Sequence, residues 1–350
     1  MTHRENWLRA VEFRCPEWIP CSVGLSPLTW HTHREDLEEL VLRHPRIFRG
    51  FQKGSVDFEN FPQCYRAGER FRDNWGCVWQ NKISGLEGMV TEHPLADWDA
   101  LDTYRPPDPA KYTERGEIDW DQIRQQVAGA RERGELVLGS GERLFDRLYF
   151  LRGFENLMMD FASDDPHLPA LIEMLWEFER KLVSLWLDVG VDAMAFHTDI
   201  GTQRALMISP DKFRKYLKPM FKDIFEMCRG AGAHVCLSSD GCLLEIVDDL
   251  VECGVSMHDP QLRACTLDGI EKAYKGKMCI NLDLDRQMLP FCTPEEMREQ
   301  VREVVARLNS PEGGLMVQMG VFGGDIPLAT LEALFDALEE FCLKTAPAPP

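Results

Sequence analysis

From about residue 135 onward the chain alternates short β-rich runs with longer amphipathic stretches of helical periodicity. That alternation confines it to a parallel sheet whose strands are joined by crossover helices. Six runs carry the β signal: residues 135–140 (ELVLGS), 192–197 (DAMAFH), 233–238 (AHVCLS), 255–258 (VSMH), 277–283 (KMCINLD) and 315–319 (LMVQM). An earlier run, 19–25 (IPCSVGL), is a seventh candidate, and an eighth strand is expected within residues 141–191 or in the N-terminal third. Helices are expected at 210–229, 243–252 and 294–308, the last opened by Thr293 as N-cap with Glu296 three residues on. The pattern is that of an α/β fold, a (β/α)8 TIM barrel. A doubly wound open sheet is the alternative, weakened because no glycine-rich phosphate turn follows the first strand.

The N-terminal third does not follow the alternation. It concentrates tryptophans (Trp30, and residues 75–79, WGCVW) and a proline-rich stretch, 104–109. A single domain is therefore expected over residues 1–344, with about 26–130 as a cap or lid over the barrel mouth and 345–350 as a disordered tail. The 39 Lys+Arg against 58 Asp+Glu leave a net charge of −19, which excludes a general nucleic-acid binder, since nothing could neutralise a run of phosphates. No apolar run approaches the ~18 residues of a membrane span, and residues 1–14 are charged and lack the apolar stretch of a signal peptide, so a cytoplasmic location is expected. Twelve cysteines are scattered without CxxC pairs and are expected to be reduced thiols.

In a barrel, the C-terminal strand ends and the loops after them build the active site. Here they carry Ser140 and Glu142; His197 and Asp199; Ser238, Ser239 and Asp240; His258 and Asp259; Asp283 and Asp285; and Gln318. Because strand side chains alternate, His197 and Asp199 share a face, as do His234, Cys236, Ser238 and Asp240. Asp199 and Asp240 each precede a glycine-containing loop, where a carboxylate serves either as a turn cap or as a reacting group. His197 and His258 are each an acid, a base or a satisfied buried ring. His234 and Cys236, two apart on one strand, form a partial zinc set that lacks a third ligand. Arg143 and Arg147 either receive an acidic substrate or pair with Glu142 and Asp146.

A pattern spread over nearly the whole chain resembles the uroporphyrinogen decarboxylase superfamily, and within it the decarboxylase-like methyltransferases. It comprises Arg4-Glu5-Asn6 through Pro16-Glu17-Trp18-Ile19-Pro20, then Asp73-Asn74-Trp75-Gly76, His93-Pro94-Leu95-Ala96-Asp97, Pro106-Pro107-Asp108-Pro109 and Leu151-Arg152-Gly153-Phe154-Glu155. Asp199-Ile200-Gly201-Thr202-Gln203 with Ile208-Ser209-Pro210 follows, then 283–296 (DLDRQMLPFCTPEE) and Gly313-Gly314 leading to Asp325-Ile326-Pro327. The resemblance implies a (β/α)8 barrel with its pocket at the C-terminal mouth. True decarboxylases carry an arginine-rich segment for porphyrin carboxylates where residues 21–30 (CSVGLSPLTW) hold no arginine. In the zinc-dependent branch the metal ligands stand where this chain has Ser238, Asp240 and Gly320, so no metal is expected at those positions.

The resemblance thus implies a methyltransferase that moves a methyl group from a small methoxylated or methylated compound to a corrinoid protein. No cofactor would be tightly bound, the corrinoid (cobalamin) arriving on a separate partner protein, and a homodimer is conceivable by family. In that reading Asp199 and Asp240 lie near the leaving group, and His197 and His258 donate protons or orient. Trp30, Trp75 and Trp79 form an aromatic wall, and Gln203, Ser238, Asp283 and Gln318 contact substrate. A decarboxylase or lyase, with Arg143, Arg147 or Arg204 holding a carboxylate, is the second reading, and a non-catalytic ligand-binding barrel the third.

Overall fold

The computed structural model describes residues 1–346. All seven β runs form strands, which pair in parallel within one curled sheet. The first, β1 (Cys21–Leu25), precedes three short strands of a separate antiparallel sheet, β2 (Arg70–Arg72), β3 (Val78–Gln80) and β4 (Met89–Glu92). The main sheet continues with β5 (Leu138–Arg143), β6 (Ala193–His197), β7 (His234–Ser238), β8 (Met257–His258), β9 (Cys279–Asp283) and β10 (Leu315–Val321). Its spatial order is β1-β10-β9-β8-β7-β6-β5, with Ala195 beside Cys236 and His197 beside Ser238 in register. This is a TIM-like α/β architecture.

The expected eighth strand is not found among the described residues. After β5, three helices follow one another, Leu144–Arg152, Phe154–Ser163 and Leu168–Val189, and the strands of the N-terminal third belong to the other sheet. The 22-residue helix buries Leu168, Leu171, Ile172, Leu175, Phe178, Glu179 and Val183, an i, i+3, i+4 stripe that leaves no period-2 run for a strand. The ladder therefore stays unpaired between β1 and β5.

The N-terminal elaboration meets the chain just beyond those two strands. Leu28 N–H donates to Gly85 O at 3.2 Å, Leu95 N–H to Leu151 O at 2.9 Å, and His93 Nδ1 lies 2.8 Å from Phe150 O. One contiguous apolar core runs from Trp18 to Ala346 and takes in Trp75, Cys77, Trp79 and Leu95. The elaboration is thus packed as part of the domain.

On the outer face of the sheet, side chains pack against the crossover helices. Helix Lys218–Gly230 buries Met220, Phe221, Ile224, Phe225 and Cys228, and the Phe196 ring of β6 meets Phe225 at 5.0 Å. Phe196 also explains Gly141 in β5, since a Cβ there would stand 2.2 Å from the phenylalanine ring. The helix at Pro294–Leu308 has the bounds expected, with the reciprocal Thr293/Glu296 cap formed. The stretch expected at 210–229 is helical but interrupted by a π turn at Phe213–Leu217. All twelve cysteines are free. No helix is long and apolar enough to cross a membrane among the described residues. Of the expected disordered tail, Thr345 donates its hydroxyl to Glu17 O at 2.5 Å and Ala346 is buried. Residues 347–350 lie outside the described chain.

Candidate active site

Alternation along the strands turns one set of side chains onto the concave face of the sheet, where they line a cavity of about 320 Å³. Ala195 and His197 of β6, Cys236 and Ser238 of β7, Met257, Asn281 of β9 and Gln318 of β10 contribute, with Trp7 at the N-terminal end. The volume falls at the small end of the range for small-molecule pockets, about 300–1,000 Å³.

Asp259, one residue past β8, gathers the polar part of this cavity. Its carboxylate accepts the Ser238 hydroxyl at 2.5 Å, the Ser239 N–H at 3.0 Å and the Gln318 amide at 3.1 Å, while Asn281 donates to Gln318 Oε1 at 2.8 Å. Burial pushes Asp259 up to about 7 against the pull of the Ser238 hydrogen bond, and the Asp283 charge adds to the rise.

A second set stands at and past the C-terminal strand ends, on a rim beyond the residues that line the cavity. Asp240 N–H donates to Asp199 Oδ1 at 2.9 Å, Gln261 Nε2 donates to Asp240 at 2.8 Å and reaches Asp283 at 3.4 Å, and Arg286 contacts Asp240 at 2.7 Å and Asp283 at 3.6 Å. Asp146, on the helix after β5, accepts the Asp199 N–H at 2.8 Å and the Tyr149 hydroxyl at 2.6 Å. Two loops must touch for this to happen. Gly241 sits at φ +90°, and a Cβ on it would lie 2.3 Å from the Gly201 carbonyl carbon, so backbone meets backbone where Asp199 and Asp240 are held. Desolvation and then the Asp146 charge raise Asp199 to about 6; desolvation raises Asp283 to about 6 although Arg286 opposes it. The strand-end residues Asp199, Asp240 and Asp283 therefore converge, joined by Asp146, Tyr149, Gln261 and Arg286.

His197 opens onto the cavity, and desolvation followed by the Arg143 charge lowers its pKa, which favours the neutral ring at pH 7. His258 is different. It points to the outer face, fully buried, its ring 5.5 Å from and nearly parallel to Tyr274, and neither ring nitrogen has a hydrogen-bond partner. Burial drives it down to about 3. The expected proton-donor role for His258 fails on this geometry, because the two-residue strand β8 turns Met257 inward instead. His258→Phe is expected to keep turnover within about twofold and to cost no stability, since it deletes two unsatisfied buried atoms; steady-state rates and urea unfolding check both.

His234 is held at the base. Arg229 donates to its Nδ1 at 2.8 Å, which leaves the proton on Nε2 to bond Glu12 at 3.0 Å. Both ring nitrogens are thus engaged, and no group of three or more metal-ligating side chains assembles among the described residues, with Cys236 instead lining the cavity. Gln203 and Arg204 are exposed on a turn away from the cavity lining.

The tryptophan wall does not form either. Trp30 stacks between Phe51, at 5.6 Å, and Phe58, at 6.3 Å. Trp75 and Trp79 are both 1% exposed; their indoles donate to Glu142 and Asp73, each at 2.8 Å. Around them Arg147 pairs with Glu142 and Glu114 at 3.0 Å and Asp73 at 3.4 Å, and Arg143 grips both oxygens of Glu87 at 2.9 and 3.1 Å. These are interior contacts, and of the two roles open to the arginines they select pairing: Arg147 holds Glu142 as expected, while Arg143 takes Glu87 rather than Asp146.

Glu179 backs this cluster, fully buried and accepting the Glu142 N–H at 2.7 Å. Burial, then the Glu142 charge, push its carboxyl from 4.5 up to about 8. The folded chain therefore keeps a proton that the unfolded chain loses near 4.5. That contribution to stability is complete below pH 4.5 and is lost as the pH rises through 8. Glu179→Gln is expected to gain on the parent chain between pH 5 and 8, by up to about 1.4 kcal/mol per pH unit, in urea titrations.

A family model for uroporphyrinogen decarboxylase (URO-D) matches residues 84–341, about three quarters of the chain. The chain belongs to the URO-D family. That stretch spans β5 to β10 and every rim residue. No curated protein matches in sequence. Among solved structures, a methyltransferase from Methanosarcina mazei superposes with a TM-score of 0.62 at 16% identity, covering 97% of this chain and 98% of the other. At that identity the likeness establishes a shared fold over the whole length. A D-psicose 3-epimerase bound to D-fructose (TM-score 0.38, 10% identity, covering 65% and 85%) is more distant and carries no argument. The resemblance read from the sequence holds at the level of the family.

Proposed function

We propose that this URO-D family member is a methyltransferase that takes a methyl group from a small methoxylated or methylated compound and delivers it to a corrinoid on a separate protein. The observation that carries this reading is the convergence of Asp199, Asp240 and Asp283 at the rim of a small cavity, with Asp199 and Asp283 raised to about 6. A carboxyl held there is still partly protonated near neutral pH, as a group that protonates a departing oxygen or nitrogen needs to be. Asp259, raised to about 7 deeper in the cavity, is a second such group.

The charge balance favours a neutral or cationic donor over a carboxylated one. Arg143, Arg147 and Arg286 are all paired with the protein's own carboxylates, which leaves an acidic mouth that repels a substrate anion. The Methanosarcina fold neighbour is described as a methyltransferase, in line with this reading. The cavity of about 320 Å³ suits a small donor rather than a macrocycle, so the corrinoid would face the mouth from outside. When bound there, it supplies the nucleophile for the methyl carbon. This chain's residues orient the donor, with neutral His197 and the Ser238, Asn281 and Gln318 side chains as polar contacts, and Asp199 delivers the proton.

The test mixes the protein with a reduced corrinoid protein and a panel of methoxylated aromatics and methylated amines, following the corrinoid absorbance. A substrate-dependent spectral change supports the reading. Carbon dioxide release from a carboxylated substrate, with no spectral change from any donor, overturns it in favour of a decarboxylase.

A further inference from the structure

The N-terminal end of the sheet carries a second cavity of about 710 Å³, more than twice the volume of the central one. In a chain of net charge −19 it gathers four arginines, Arg4, Arg46, Arg49 and Arg133. Two are accounted for: Arg4 bonds both oxygens of Asp192, at 2.7 and 3.0 Å, and Arg133 both oxygens of Glu135, at 2.8 and 2.9 Å. Arg46 and Arg49 have no ion-pair partner among the described residues, although both face the cavity. His3 stands beside them, its ring 5.0 Å from Trp18, and Trp18 supplies a flat apolar wall.

We propose that this basal cavity binds a multiply charged oxyanion, a phosphate ester or a polycarboxylate, with Arg46 and Arg49 as its principal contacts. Guanidinium forks match the geometry of phosphate and carboxylate oxygens, and Arg46 and Arg49 form no ion pair among the described residues while the nearby Glu135 is already held through both oxygens by Arg133, an arrangement that such an anion completes. Two further facts agree. Burial lowers the Arg49 pKa with only Glu135 acting against it, and burial, then the Arg49 charge, hold His3 down at about 4. A bound anion reverses the second effect.

The site is separate from the chemistry. Catalytic groups of these barrels lie at the C-terminal face, so a ligand at the base acts on stability or regulation. The connection runs through Trp7, which lines both cavities and lies 6.2 Å from the His234 ring. An occupant of the basal cavity bears directly on the indole at the floor of the central one.

The experiment titrates the whole protein with pyrophosphate and, separately, with citrate at constant ionic strength, by calorimetry, and follows the His3 pKa by NMR. Saturable binding of one anion per chain is expected, with the tighter of the two identifying the class, and the His3 pKa should rise by about one unit on binding. Arg46→Gln and Arg49→Gln are each expected to weaken binding about tenfold or more, the size of a lost charge-assisted contact, while Arg204→Gln at the other end leaves it unchanged. Should the glutamine variants fail to fold, Arg49→Lys keeps the charge without the fork and is expected to weaken binding severalfold. Non-saturable binding, equal affinity in the arginine variants or an unmoved His3 overturns the proposal.

Discussion

Arg147→Met is expected to destabilise the fold by about 3–5 kcal/mol, measured by urea unfolding at pH 7, because removing one partner of a buried ion cluster strands the others. Arg147 has no exposed surface. Its guanidinium lies 3.0 Å from Glu142 and from Glu114, 3.4 Å from Asp73, and 4.7 Å from the centre of the Trp75 ring. Burial already raises the Glu114 carboxyl, and the Arg147 charge is the largest influence opposing it. Without that charge the enclosed carboxylates must take up protons or draw in water. Arg143→Met is the internal comparison. Its side chain is 30% exposed and grips Glu87 nearer the surface, so its loss is expected to cost about 1 kcal/mol. A loss below about 1 kcal/mol for Arg147→Met would show that the cluster relaxes without its central cation.

These arginines also show where sequence reading reaches its limit. Arg143 closes β5 and Arg147 follows it on the next helix, positions that mark substrate contacts, and only the folded chain brings residues 73, 87 and 114 against them. Trp75 and Trp79 were open to the same ambiguity. An aromatic cluster outside the strand–helix alternation reads as a binding wall, but partners 67 residues away, such as Glu142, turn it into interior. Periodic features were legible because they are local: seven strands, the Thr293 cap, and the family carried by motifs along the chain. The missing eighth strand is the reverse case, inferred from the closure rule rather than from any run of residues.

Facing was the other hidden variable. Alternation groups side chains into two sets without saying which is inward, and a two-residue strand such as β8 gives no help. His258 and Asp259 are adjacent, and the fold took the aspartate into the cavity and left the histidine against Tyr274. Asp146 and Gln261 lacked even that signal, since each lies beyond a strand end, Asp146 on a helix and Gln261 in a loop. Yet Asp199 and Asp240, chosen as strand-end carboxylates before glycine turns, did come together, because Gly201 and Gly241 let those turns touch.

In the reaction proposed above, with Asp199 as the general acid, Asp199→Asn is expected to lower turnover by about 10²–10⁴, the usual contribution of such a group. Desolvation is the main cause of the rise of its carboxyl to about 6, with Asp146 next and Asp240 adding, while the Asp240 N–H pulls the other way. In that proposal the protonated form is the competent one, so activity of the parent chain is expected to fall as the pH rises above 6, and the asparagine variant to lose that limb along with the rate. Asp146→Asn removes a like charge yet keeps an acceptor for the Asp199 N–H; it is expected to move the limb to lower pH without abolishing turnover. Stability separates chemistry from misfolding. The folded pKa lies above the unfolded value of 3.8, so the contribution of the protonated carboxyl is present below 3.8 and lost as the pH rises through 6. At pH 8 the parent chain carries a partly buried carboxylate next to Asp146, and asparagine relieves it. The variant is therefore expected to unfold at the same or higher urea concentration at pH 8 while its turnover collapses. An active Asp199→Asn, or one that loses activity and stability together, would move the proton delivery to Asp259.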